Sequence, residues 1–192
     1  EGLLSRNAVR TDHIDRASHA CSMAVLEFLT STLTADMTTI ETGGGWSTCV
    51  FAGCAGKHYC VNPDVTANEL VEGFLREHEI PCGHLHFMHG TSDAMLPTLA
   101  PDIVIDVAFI DGCHSFPLPV IDWYYIDLHM KQGAIVILDD THINAVAVVR
   151  DFLATDPAYE KVRDIGKAAV FRKIRDARSV GWAGQPFNKA PA

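Results

Sequence analysis

Thr39-Ile-Glu-Thr-Gly-Gly-Gly-Trp-Ser-Thr48 reads as an extended run that meets an acid, turns through three glycines and enters a helix. Glycines at Gly43, Gly44 and Gly45 let the backbone turn sharply and approach a ligand that a Cβ would obstruct. Ser47 and Thr48 are placed to cap the helix that follows. The pattern points to a nucleotide-like cofactor site, but several classes use such loops. A dinucleotide fingerprint, G-x-G-x-x-G, needs a glycine where Thr48 stands. A phosphate-binding P-loop needs Gly-Lys-Ser/Thr, and no lysine precedes Lys57.

Outward from this loop, residues 17–33 carry Met23, Leu26, Leu29 and Leu33 at helical spacing. Residues 37–42 read as a strand, 46–55 as a helix, 57–62 as a strand closed by Pro63, and 67–79 as a helix ended before Pro81. A short strand over 84–88 follows, then an apolar run over 104–110 that reads as a buried central strand. Residues 117–130 are helical with prolines in the first turn, 134–138 form another buried strand, and 143–154 a helix. Strands alternating with crossover helices imply a doubly wound, mainly parallel α/β sheet of Rossmann-like form. The segments 159–164 and 167–174 are joined by only Ile165-Gly166, too short for a crossover, so an antiparallel C-terminal hairpin is expected at the sheet edge. The reading is a single domain over residues 1–175, with a helical flank over 1–35 and a tail over 176–192.

The chain has 192 residues, 48% of them apolar, which suits one domain with a substantial core. A net charge of −9 argues against nucleic-acid or anionic-membrane partners, which require a basic footprint. No apolar run reaches the roughly 20 residues that span a bilayer, and no signal-peptide h-region is seen at the start. The six cysteines form no C-x-x-C pair, which fits free thiols in a reducing cytoplasm. His84, His86 and His89 invite a zinc reading, but no accompanying ligand spacing supports it, and a solvated strand face accounts for them better.

In open parallel sheets the ligand lies beyond the carboxyl ends of the strands. Those positions here hold Glu41; Asn62 and Asp64; Ser92 and Asp93; Asp111 and His114; and Asp139, Asp140 and His142. Helix capping would explain Asp93 or Asp140. Asp111 and Asp139 end apolar strands, where a carboxylate is costly without a partner. A divalent cation held by Asp111, Asp139 and Asp140 would relieve the repulsion.

Glu41-Thr-Gly-Gly-Gly-Trp-Ser, Asp111-Gly-Cys-His-Ser and Gln132-Gly-Ala-Ile-Val-Ile-Leu-Asp-Asp140 together resemble the class I S-adenosylmethionine-dependent methyltransferases. The similarity extends over residues 18–174 and is greatest to a subgroup of small-molecule and sugar O-methyltransferases. It implies that Glu41, Gly43, Gly44, Gly45 and Ser47 hold the methionine end of the cofactor, with Asp111 close by. Ser92 or Asp93 would then lie near adenine. The order of acids also resembles the metal-dependent catechol O-methyltransferase type, which implies magnesium on Asp111, Asp139 and Asp140. Where that type has a lysine base, this chain has His114, and imidazole accepts a hydroxyl proton near neutral pH. His142 is the second candidate base. The family ends its second strand with an acid that binds the ribose hydroxyls, whereas here Asn62 stands there with Asp64 two residues on. The resemblance implies O-methylation of a hydroxyl on a small molecule or sugar. Two other readings stand beside it: a non-catalytic cofactor-binding module, favoured by Asn62, and a nicotinamide-dependent oxidoreductase, disfavoured by the missing glycine. The first 20 residues would serve as packing, as a substrate lid or as a homodimer contact.

Overall fold

The computed structural model describes residues 21–176 and 181–189. Its centre is a seven-stranded sheet: β1 (Thr38–Thr42), β2 (Lys57–Val61), β3 (Leu85–Met88), β4 (Ile105–Ile110), β5 (Met130–Leu138), β6 (Tyr159–Ile165) and β7 (Ala168–Lys173), in the order β3-β2-β1-β4-β5-β7-β6. The first five strands are parallel. β7 runs antiparallel between β5 and β6. The order reverses at β1 and β4, so the rim above them is the switch point where a ligand crevice opens.

Alternation along the central strands sorts their side chains onto two covered faces. Val107 and Phe109 of β4 join Ile137 of β5, Val25, Leu26 and Leu29 of α1 (Met23–Thr32), and Phe51 of α2 (Trp46–Cys54). Ala108 and Ile110 turn the other way, towards Ile126 of α5 (Leu118–Asp127) and Val146, Val149 and Leu153 of α6 (Asn144–Thr155). Each fully buried large side chain contributes about 1.5–3 kcal/mol. Between the faces at the β3 edge, α3 (Val65–Glu77) packs Val71 and Leu75 on Cys49 and Ala52 of α2.

The fold class and the C-terminal hairpin are as the sequence indicates, while several boundaries differ. α3 starts at Val65, because Asp64 caps it by accepting from Ala67 N–H at 3.0 Å. It stops at Glu77, before Glu79 adopts φ +55. α5 ends at Asp127 and β5 starts at Met130, earlier than expected from the apolar run. The β4 register jumps from Ile105↔Met130 to Val107↔Ile135. The slack is taken up around Gly133 at φ +91, and Lys131 there pairs with Asp106. A four-residue helix, α4 (Ser92–Met95), precedes β4; it is too short to show periodicity. Residues 17–20 of the predicted first helix lie outside the described residues, as do residues 1–16 of the N-terminal flank. In the tail, Phe187 packs edge-on against Phe152 of α6 with centroids 5.5 Å apart.

The three histidines of the β3 region diverge. His84 hydrogen-bonds Ala52 O at 2.8 Å, exposed His86 stacks on Tyr59, and His89 Nδ1 lies 3.0 Å from Asn68 Nδ2. Among the described residues they form no cluster of metal-ligand geometry.

Candidate active site

The glycine loop is held from two sides. Gly43 N–H donates to Val61 O at 2.9 Å, and Asp111 N–H donates to Thr42 O at 3.1 Å, so β2 and β4 both grip the end of β1. Gly43 sits at φ +81, and a Cβ there would lie 2.4 Å from Asp111 O. A Cβ on Gly44 would lie 2.8 Å from Asn62 Nδ2, while one on Gly45 meets nothing within 4 Å. The loop is therefore packed tightly beneath and bare above, as close backbone approach by a ligand requires. Gly43→Ala is expected to destabilise the fold by at least about 1 kcal/mol through the positive φ alone, measurable by urea denaturation.

Glu41 faces inward. It is fully buried, with one carboxylate oxygen accepting from Ser47 Oγ at 2.6 Å and the other from Thr48 Oγ1 and from His58 Nε2 at 3.1 Å. Thr48 Oγ1 in turn accepts from Gly45 N–H at 2.9 Å. Glu41 and Ser47 thus brace the loop through buried hydrogen bonds.

Across the switch point, the D-G-x-H loop and the end of β5 converge. His114 Nε2 lies 3.6 Å from Asp111 Oδ1, and His114 Nδ1 lies 3.8 Å from Asp140 Oδ2. His142 Nδ1 is 3.6 Å and Lys167 Nζ 3.5 Å from Asp140 Oδ1. Asp111, His114 and Asp140 offer ligand atoms all within 4.8 Å of one another. Burial pushes the Asp111 carboxyl up to about 6; Asp139 and Asp140 add to the rise and His114 opposes it. Asp111 also holds the His114 imidazole above its ordinary value, with Asp140 and Asp139 assisting. His114 Nε2 is enclosed and makes no hydrogen bond.

Asp139 does not join this group. Burial raises its carboxyl, and its Oδ1 accepts from Asp140 N–H at 2.8 Å. That bond helps hold Asp140 at φ +50, a sparsely populated conformation for a residue with a Cβ. Backbone strain of this kind gathers where a side chain must be aimed.

Residues 40–141 match a family model described as a methyltransferase domain. The chain belongs to that methyltransferase family. No curated protein matches the sequence. Among solved structures, the fold is similar to the O-methyltransferase TomG from Streptomyces achromogenes, involved in tomaymycin synthesis and solved with S-adenosylmethionine (TM-score 0.68, 18% identity, 82% of each chain covered). It is similar to the O-methyltransferase from Bacillus cereus in complex with S-adenosylhomocysteine (0.69, 14%, 82% of this chain and 84% of that one). An rRNA methylase from Streptococcus thermophilus shares it as well (0.62, 12%, 81% and 99%). Family and fold together support an S-adenosylmethionine-dependent methyltransferase, as the resemblance of the glycine loop and the Asp-rich rim implied. The nicotinamide-dependent reading is set aside.

At the end of β2, this methyltransferase replaces the expected acid with a closed amide network. Asn62 Nδ2 donates to Asn68 Oδ1 at 2.8 Å, and Asn62 Oδ1 accepts from Asp64 N–H at 3.2 Å. Asn62 is therefore engaged with the start of α3, and Asp64 uses one oxygen as its cap. Ser92 is buried at the start of α4 and Asp93 is exposed beside it. Ser92 approaches Asp122 of α5, a fully buried carboxylate raised by desolvation.

Lys167 was not singled out from the sequence. It reaches the rim because β7 is antiparallel to β5, which brings the β6–β7 turn back to the carboxyl ends of the parallel strands. Thr141 fastens it there, donating its N–H and Oγ1–H to Lys167 O at 2.9 and 2.7 Å. The short turn joining the last two strands, which must end beside the carboxyl end of β5 if the hairpin packs there, is the sequence signal that could have found it.

Proposed function

We propose that this methyltransferase transfers a methyl group from S-adenosylmethionine to a hydroxyl oxygen of a small molecule or sugar, with divalent-metal assistance. The observation that carries the reading is the Asp111, His114 and Asp140 group directly across the strand ends from a tightly packed, open-topped glycine loop. S-Adenosylmethionine supplies an activated methyl on a cationic sulfur. Gly45 exposes bare backbone to receive it, and Gly43 and Gly44 hold that backbone in place. A hydroxyl acceptor needs a group to take its proton, and the rim provides two imidazoles. His114 Nδ1, on the side of the ring away from the enclosed Nε2, takes the proton while Asp111 stands behind Nε2 to orient the ring and balance its charge. That is the proton route when no cation is held at the rim.

A divalent cation supplies charge that lowers the pKa of a bound hydroxyl. Asp111 and Asp140 fit that role as the oxygen donors, with His114 as a nitrogen donor in place of Asp139. His114 is then a ligand, and His142 beside Asp140 takes the proton. The test is methyl transfer to a panel of phenols and sugars, assayed with and without chelator. Turnover is expected to fall at least about tenfold in chelator and to return with added magnesium or manganese. Full activity in chelator would remove the metal and leave His114 as the base.

A further inference from the structure

The second residue of β2 carries an imidazole into the interior. His58 is fully buried, its ring stacked on Phe51 of α2 at 4.4 Å between centroids and 6° between planes. It lies opposite Thr39 in the β1–β2 register, with Nδ1 2.8 Å from Thr39 Oγ1. Nε2–H donates to Glu41 Oε1 at 3.1 Å. A continuous path therefore runs from His58 to Glu41, from Glu41 to Thr48, and from Thr48 to the backbone N–H of Gly45.

A carboxylate taken wholly out of water needs a donor at each oxygen. Ser47 serves one oxygen of Glu41, and the other is shared by Thr48 and His58. Without His58, the Thr48 hydroxyl alone would serve Oε1 while also receiving Gly45, so the loop would lose the contact that sets the carboxylate's angle. We infer that His58 is a positioning residue for cofactor binding, acting through Glu41 to hold Gly45 and the first turn of α2 in a receptive shape. The inference rests on the reading of the glycine loop as the S-adenosylmethionine site. His58 touches neither the open side of the loop nor the rim, so its effect falls on the cofactor and not on the acceptor.

The experiment is calorimetric titration with S-adenosylhomocysteine, together with kcat and separate KM values for cofactor and acceptor. His58→Phe keeps the stack on Phe51 and removes both hydrogen bonds. It is expected to weaken S-adenosylhomocysteine binding by about tenfold to a hundredfold, the loss of a charge-assisted hydrogen bond, and to raise the cofactor KM with the acceptor KM unchanged. His58→Gln, which retains an N–H for Glu41, is expected to recover most of that affinity. Adding Glu41→Gln to His58→Phe is expected to cost less than the sum of the two alone, because they act along one path. Wild-type affinity in His58→Phe, with only a lowered melting temperature, would overturn the inference. If His58→Phe does not fold, wild-type affinity in Glu41→Gln overturns it equally. Absence of S-adenosylhomocysteine binding by the wild-type protein would instead sink the cofactor reading on which it rests.

Discussion

His114→Ala is expected to lower methyl-transfer turnover by about 10²- to 10⁴-fold, with S-adenosylhomocysteine affinity close to wild type. The ring stands between two carboxylates, 3.6 Å from Asp111 and 3.8 Å from Asp140, whereas His142 pairs with Asp140 alone. Its loss leaves three acids at the rim opposed, among the described residues, by Lys167 and His142. His142→Ala separates the two routes by which a proton can leave. A small effect means that His114 is the base, whereas a loss as large as that of His114→Ala means that His114 serves as a ligand and His142 accepts the proton. Single-turnover rates at saturating cofactor are the measurement, since they isolate the chemical step. Unchanged turnover in His114→Ala would remove the residue from the reaction altogether.

Lys173→Met is expected to destabilise the protein by about 3–5 kcal/mol, the cost of removing one member of a buried ion pair. Lys173 is 3% exposed on β7, which is enclosed between β5 and β6. Its ammonium donates to Asp127 O at 3.0 Å and pairs with Asp127 Oδ1 at 2.8 Å. Asp127 also accepts from the buried Tyr159 hydroxyl, whose pKa is raised first by burial and then by that carboxylate. The cluster closes the carboxyl end of α5, where a cation is favourably placed. Urea denaturation of Lys173→Met checks the figure. Replacing all three groups at once, as Lys173→Met, Asp127→Leu and Tyr159→Phe, is expected to cost less than Lys173→Met alone, because no buried charge is then left behind. A loss below about 1 kcal/mol for Lys173→Met would show that the pair contributes no more than a surface ion pair does.

What was legible in the sequence follows from the range of each signal. Apolar runs such as Ile105–Ile110 and the two-residue link at Ile165-Gly166 are local, and they suffice for a parallel sheet with a terminal hairpin. The acids at the strand ends are placed by the same topology, so Asp111, His114, Asp140 and His142 could be brought to one rim from strand boundaries alone. What could not be read is how side chains turn once there. Asp139 and Asp140 are adjacent and chemically identical, yet one is engaged by its neighbour's N–H and the other is aimed into the site by a positive φ. Glu41 and Asn62 look like ligand-facing groups by position, but hydrogen bonds to α2 and to the start of α3 draw them inward. His58 and Lys173 resemble ordinary polar residues of alternating strands. Their burial is decided by Phe51 and α5, elements distant in the chain.

The return of β7 to the rim makes the site depend on the far end of the fold. Strands β1 to β4 carry the glycine loop and the D-G-x-H segment, and both precede the hairpin in the chain. Asp140 receives its lysine, and Thr141 its anchor, only when the hairpin has folded back against β5. The charges of the rim are therefore completed by the last strands of the sheet, whereas the glycine loop is framed by the first.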